Sequence, residues 1–117
     1  MAQPADLTPY ANPVESPAEP FNIADHFLTA NAGRSDKLAF VDGRATLTHN
    51  QLDRRVRQTA AAIRDLGIKC EERVLIVLQD TVDWPTVLLG AVHAGVRPIR
   101  SKHPPNGRRH AYMLEHL

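Results

Sequence analysis

The 117-residue sequence predicts an incomplete α/β fold, in which a β-hairpin is followed by βαβ units of a parallel sheet. The first observation is the order of local patterns, which runs helix, hairpin, helix, strand, helix, strand, helix. The second is the continuous apolar run RVLIVLQ, which is typical of a parallel strand covered on both faces. Such strands need more covering layers than this chain supplies, so we expect the start of a larger domain.

The first helix is predicted in FNIADHFLTANAG, where Asn22 can cap the start and Gly33 can end the helix. Its predicted apolar face consists of Ile23, Ala24, Phe27 and Leu28. The next segment, LAFVDGRATLT, has two short apolar runs around Asp42 and Gly43, which predicts a hairpin.

A second helix is predicted after Thr48, which forms a capping box with Gln51. Gly67 lies where a left-handed C-cap belongs. The predicted buried face consists of Leu52, Val56, Ala60 and Ile63.

The strand RVLIVLQ is followed by a predicted helix in DWPTVLLGAVHAG, with Pro85 in its first turn and Gly95 past its end. VRPI is then expected to be a strand, and RRHAYMLEHL a last helix.

Composition and charge indicate an ordinary globular protein, with 43% hydrophobic residues, 23% charged residues and a net charge of +1. The single cysteine, Cys70, excludes an internal disulfide and fits a reducing compartment. No secretory signal pattern is visible, and no apolar run approaches the roughly 20 residues of a membrane span. We therefore expect a cytoplasmic chain without a membrane partner.

The first twenty residues differ from the rest of the chain. Residues 1–20 contain five of the nine prolines and little that could form a core, so we expect a disordered leader. We expect residues 21–117 to form a partial domain.

The search for catalytic motifs gives no candidate site. The sequence contains no glycine-rich phosphate loop and no nucleophile elbow. The histidines show no metal-ligand spacing; they are His26, His49, His93, His103, His110 and His116. Cys70 has no catalytic partner nearby in sequence, and we interpret it as a structural or incidental thiol.

Four further positions have both a structural and a functional interpretation. Asp80 and Asp83 flank the end of a strand, where ligands gather in open α/β sheets, but we favour helix capping. We expect Trp84 to anchor its helix in the core, and His93 to have a packing or surface role. The sequence therefore predicts no catalytic, cofactor-binding or metal-binding residue in this chain.

A basic segment interrupts the apolar pattern near the end of the chain. Five of the fourteen lysines and arginines lie between Arg97 and His110, with no acidic residue among them. One hypothesis is a small non-catalytic binding module that uses residues 97–110 on nucleic acid or an acidic partner. The segment has no interleaved aromatic residues before Tyr112, so we do not expect nucleic acid.

Residues 40–99 carry a series of spaced signals: FVDGRATLTHNQL, an alanine-rich helix, LGIKCEERVLIVLQ and a helix ending AGVRP. This series resembles the opening of the adenylate-forming acyl-CoA ligases. The segments FNIADHF, EERVLIVLQDTVDWP and AYMLEH are most similar to the benzoate and 4-hydroxybenzoate branch. The resemblance implies the large N-terminal domain of that family, present here only in part.

By this resemblance, the parent enzyme activates an aromatic carboxylate with MgATP and transfers the acyl group from the adenylate to coenzyme A in aromatic degradation. The family's phosphate loop, its Mg²⁺-linked acidic motif and its mobile lysine all lie downstream of the shared segment. No position here matches them, so we expect this chain alone to be inactive. A further alternative is a regulatory fragment that pairs with a full-length ligase through an exposed sheet edge.

The resemblance also suggests an origin for the basic segment. This chain has the sequence IRSKHPPNGRRHAYMLEH at this place. The aryl ligases usually have a sequence similar to VAVNTLLTADDYAYMLEH there, which is a stretch of equal length. Permitted codons for Lys102 to Arg109, read one nucleotide later, spell Asn-Thr-Leu-Leu-Thr-Ala-Asp-Asp. We therefore hypothesise that residues 100–110 are translated out of frame, which would make the basic patch an artefact.

Overall fold

The structure, a computed structural model, describes residue 16 and residues 19–101 and 107–116. The predicted leader, residues 1–20, falls mostly outside these ranges and stays a prediction. The predicted element order is confirmed, with one additional 3₁₀ turn at Ala32–Arg34. The elements are α1 (Ile23–Ala30), β1 (Leu38–Val41), β2 (Thr46–Thr48), α2 (His49–Asp65), β3 (Arg73–Val77), α3 (Asp83–His93), β4 (Arg97–Ser101) and α4 (Gly107–Glu115).

Helix α1 begins as its sequence predicts and ends earlier. The Asn22 side chain accepts hydrogen bonds from two backbone N–H groups of the first turn. The prediction that Gly33 ends the helix is wrong, because α1 stops at Ala30 with Asn31 as its C-cap. The predicted apolar face is buried at Ala24 and Leu28, whereas the side chain of Ile23 is exposed.

Helix α2 confirms its predicted boundaries and buried face. The capping box between Thr48 and Gln51 is complete, with a hydrogen bond in each direction. Gly67 ends the helix with a φ of 82°, in the left-handed region that favours glycine. All four predicted positions of the apolar face are buried: Leu52, Val56, Ala60 and Ile63.

Helices α2 and α3 pack together at the centre of the fold. Gly90 permits a close approach, because a methyl group at that position would lie 2.6 Å from Cγ2 of Thr59. The hairpin of β1 and β2 packs on α2 and encloses a core cluster with it. The buried members of this cluster are Leu28, Leu47, Leu52, Val56 and Val82.

Strands β3 and β4 pair in parallel, as predicted, and α3 packs on their sheet. Only Ile76 of β3 is fully buried, which agrees with the expectation that this chain supplies too few layers to cover the strand on both faces. Side chains alternate between the two faces of a strand. Leu75 and its β4 partner Ile99 therefore lie on the face opposite Ile76, and both are only half-buried.

Candidate functional site

The hairpin turn and the β3–α3 connection are joined by the carboxylate of Asp42. Its Oδ1 accepts hydrogen bonds from the N–H groups of Arg44 (2.6 Å) and Ala45 (2.7 Å), which closes the turn. Its Oδ2 accepts a hydrogen bond of 2.8 Å from the N–H of Val82, immediately before α3. These N–H groups, that of Val82 foremost, hold the pKa of Asp42 below its ordinary value of 3.8.

Beside Asp42 lies an apolar groove of about 400 Å³ between α1, the hairpin and the start of α3. We call it the α3 groove and define it by the residues that line it. They are Phe27, Phe40, Val41, Asp42, Asp80, Thr81, Val82, Trp84, Pro85, Leu88 and Leu89. Its walls are mainly apolar, and its charged lining groups are two carboxylates.

Trp84 lies on the wall of the α3 groove with its ring half-buried. Its indole Nε1 is buried and has no hydrogen-bond partner among the described residues. The guanidinium carbon of Arg100 lies 4.9 Å from the ring centroid, a cation–π contact. The expectation that Trp84 anchors α3 in the core is therefore only partly met, because the ring lies at the edge of the core.

The interpretation of Asp80 and Asp83 as helix caps is wrong. The N-cap residue of α3 is Val82, whose side chain makes no capping hydrogen bond, and Oγ1 of Thr81 accepts a hydrogen bond of 3.3 Å from the N–H of Asp83. Asp83 is instead the first residue of α3, where its negative charge suits the helix dipole, and it lies 3.9 Å from the guanidinium of Arg55. The N–H of Val82 is satisfied by Asp42, a role that the sequence analysis missed.

A second depression contains His93 and Cys70. The Nε2 atom of His93 lies 3.8 Å from a carboxylate oxygen of Asp25, and its Nδ1 is buried with no partner among the residues described. His93 thus packs between α1 and the end of α3, in agreement with its expected packing role. Cys70 is a free, exposed thiol beside Gly95.

Each of the three other histidines whose side chains the structure describes lies beside an aromatic ring. The rings of His26, His49 and His116 lie against Phe21, Phe27 and Tyr112, respectively, and His103 lies outside the described residues. Within residues 19–101 and 107–116, no group of three or more His, Cys, Asp or Glu side chains could hold a metal ion. No described helix is long and apolar enough to cross a membrane.

Two basic side chains of the segment, both in β4, contact other residues of the chain. Arg97 forms an ion pair with Glu71, and Arg100 stacks on Trp84. Both residues belong to β4, whereas residues 102–106 lie outside the description. Two of the five basic side chains in the segment therefore contact the chain's own residues.

Comparison with known proteins identifies the class to which this fold belongs. The family model of the AMP-binding enzymes matches residues 27–117, and the chain belongs to that family. Its fold is that of the N-terminal domain of the adenylate-forming ligases, which confirms the predicted fold class.

Within this class, the chain is similar to ligases that act on aromatic acids. It is 33% identical over 101 residues to the 4-hydroxybenzoate–CoA/benzoate–CoA ligase of Rhodopseudomonas palustris, covering 85% of this chain and 19% of the relative. It is 35% identical over 99 residues to the benzoate–CoA ligase of Thauera aromatica, covering 82% of this chain and 19% of the relative.

A solved structure agrees with these relatives. The benzoate CoA ligase from Burkholderia xenovorans superposes with a TM-score of 0.79 at 38% identity, over 82% of this chain and 20% of that protein. The chain thus spans about a fifth of the length of the relatives that it matches.

Proposed function

We propose that this chain is the N-terminal segment of an aryl-CoA ligase. The whole enzyme would convert a benzoate-type acid and ATP into an acyl adenylate and pyrophosphate, and would then transfer the acyl group to coenzyme A. The observation that carries the proposal is the identity of 33–38% to benzoate ligases over more than four-fifths of the chain.

The chain alone is proposed to be inactive. Formation of the mixed anhydride requires groups that hold the phosphates and neutralise their charge. By the family resemblance, the phosphate loop, the Mg²⁺-linked acidic motif and the mobile lysine belong to the segment beyond the shared fifth. The role of residues 27–99 would be to support that site as part of the domain's framework.

We further propose that residues 100–110 are translated out of frame. Support comes from the shifted codons described above, which restore an apolar aryl-ligase pattern of the same length. β4 continues through Arg100 and Ser101, the first two residues of the segment. An independent DNA read across these codons tests the proposed origin of the basic segment directly, since the read either contains or lacks the two compensating single-nucleotide changes.

Two chimaeras of the Thauera aromatica ligase test the function. In the first, residues 27–99 of this chain replace the matched segment; in the second, residues 27–110 replace it. We expect the first to form benzoyl-CoA with ATP and coenzyme A within about tenfold of the parent rate, and the second to lose that activity. The two proteins differ only in the basic segment.

Other results would contradict these proposals. A first chimaera that folds, measured by cooperative unfolding, but forms no aryl thioester would count against the aryl-ligase assignment. Equal activity of the two chimaeras would count against the out-of-frame segment. Benzoyl-CoA formation by the isolated 117-residue chain would overturn its proposed inactivity.

A further inference from the structure

We propose that the bond between Asp42 and Gly43 is a site of isoaspartate formation, and that the contact between the hairpin turn and α3 suppresses this modification in the folded chain. The modification belongs to the 117-residue chain itself and is independent of the proposed ligase function.

The first observation is the residue pair at the tip of the hairpin. Asp42 and Gly43 form the only Asp-Gly pair in the sequence. Because glycine has no Cβ, its backbone nitrogen can approach the preceding side chain with little steric hindrance. Gly43 is exposed, and a methyl group added to it would meet nothing within 4 Å. The turn is therefore open to water and leaves room for a cyclic intermediate.

The modification is a spontaneous rearrangement that needs water and no other reagent. The backbone nitrogen of Gly43 attacks Cγ of Asp42, and an N–C bond forms as one carboxyl C–O bond breaks. The departing oxygen takes the amide proton and the carboxyl proton and leaves as water, so the product is a five-membered succinimide. Water then opens the ring at the main-chain carbonyl, and the chain continues through Cβ and Cγ as isoaspartate. Nothing is oxidised or reduced.

In the folded chain, the reacting carboxyl group is held at both of its oxygens. Its Oδ1 accepts hydrogen bonds from the N–H groups of Arg44 and Ala45, and its Oδ2 accepts one from the N–H of Val82. These donors stabilise the ionised carboxylate, which has no hydroxyl group to release as water. Ring closure therefore requires the carboxylate to give up donors and to take up a proton.

The Val82 N–H is the donor that only folding supplies. Arg44 and Ala45 follow Asp42 so closely that a short peptide contains both, whereas Val82 lies 40 positions away and is brought to Oδ2 by the start of α3. Local opening of the hairpin away from α3 frees this oxygen. Loss of one hydrogen bond to a charged group shifts such an opening equilibrium by about tenfold or more.

The modified residue cannot restore the contact. Isoaspartate adds one atom to the main chain and carries its free carboxylate on Cα instead of Cβ. The three N–H groups that held the side chain then meet a displaced acceptor. The modification would therefore uncouple the hairpin turn from α3 beside the α3 groove.

The experiment incubates the folded chain and the end-capped synthetic peptide LAFVDGRATLT in the same buffer at the same temperature. Trypsin converts both into LAFVDGR, whose aspartate and isoaspartate forms are separated by chromatography against synthetic standards. The Asn-Gly pair of the chain lies in a different tryptic peptide, HPPNGR, so deamidation there does not interfere. We expect isoaspartate to form at least about tenfold more slowly in the folded chain than in the peptide.

Two variants at one position separate the donor from the packing. Val82→Pro removes the N–H at a residue whose φ of −61° suits proline, whereas Val82→Ala keeps the N–H and removes most of the same buried side chain. We expect isoaspartate to form about tenfold faster in Val82→Pro than in Val82→Ala. Gly43→Ala places a Cβ beside the attacking nitrogen and should slow the reaction at least about fivefold in the urea-unfolded chain.

Cooperative urea unfolding establishes which of these proteins are folded. Equal rates for the folded chain and the peptide, or for folded Val82→Pro and folded Val82→Ala, would overturn the proposed suppression. Undiminished isoaspartate in unfolded Gly43→Ala would overturn the assignment of the site. If Val82→Pro does not fold, the unsubstituted chain at intermediate urea concentrations decides: its rate should rise with the unfolded fraction, and a constant rate would overturn the proposal.

Discussion

Replacement of Gly90 by alanine perturbs the contact between α2 and α3 at its closest point. The added methyl group would lie 2.6 Å from Cγ2 and 2.7 Å from Cβ of Thr59, and 3.3 Å from the carbonyl oxygen of Val56. Cβ of Thr59 is fixed to the helix backbone and cannot rotate away. The clash can therefore be relieved only by a shift of one helix relative to the other.

The expected change in the free energy of unfolding is the difference between two opposing effects. Overpacking in a well-packed core costs about 1–3 kcal/mol, with the upper part of that range appropriate to a contact with a fixed atom. Alanine is a better helix former than glycine by about 1 kcal/mol, which offsets part of the cost. We expect Gly90→Ala to lower the free energy of unfolding by about 1–2 kcal/mol.

Urea unfolding followed by Trp84 fluorescence measures this change. Gly33→Ala is the matched control, because a methyl group there meets nothing within 4 Å, and its stability should be unchanged or higher by up to about 1 kcal/mol. Thr59→Gly removes both contacting atoms, so Gly90→Ala should cost less in that background. The close-approach argument would be refuted if Gly90→Ala lowered the stability equally with Thr59 and with Gly at position 59, or if it lowered the stability in neither protein.

Three other substitutions test the cap, the core and the turn. Thr48→Ala removes the N-cap of α2 and should cost about 1 kcal/mol in urea unfolding. Leu52→Ala, in the fully buried core, should cost about 2–5 kcal/mol, whereas the exposed Leu66→Ala should stay within about 0.5 kcal/mol. For Asp42, the lowered pKa means that its stabilisation is present above pH 3.8 and is lost as the pH falls through the folded pKa. Asp42→Asn should therefore lower the free energy of unfolding at neutral pH, and this loss should become smaller in acid, as measured by urea midpoints at several pH values. A loss of stability that is the same in acid as at neutral pH would contradict the hydrogen-bonding role of the ionised carboxylate.

The helices could be predicted from sequence because their determinants are local. The capping box of α2 involves residues three positions apart, and its buried face follows from apolar spacing along a single helix. Gly67 and Gly95 were identifiable as helix ends because the left-handed conformation favours glycine, and both have positive φ. Gly33 misled the prediction of α1, because Asn31 ends that helix first.

The candidate site could not be predicted in the same way because it depends on contacts between distant residues. The hydrogen bond from Val82 to Asp42 joins residues 40 positions apart, and nothing in the local sequence around either residue indicates the other. An aspartate before glycine predicted the turn, but the second carboxylate oxygen had no assigned partner. The continuous apolar run of β3 indicates a strand suited to burial on both faces, but burial itself requires elements to cover it, and only Ile76 of β3 is fully buried here.

The place of the α3 groove in the chain determines which changes of reading frame would alter it. All of them lie between Phe27 and Leu89, and the Asp42–Val82 hydrogen bond that fixes the groove's rim lies within the same interval. Codons translated out of frame after Ile99 would leave every one of these residues unchanged. A change of reading frame confined to codons 100–110 would therefore alter the end of β4, at Arg100 and Ser101, while the groove and the Asp42–Val82 hydrogen bond stay as they are.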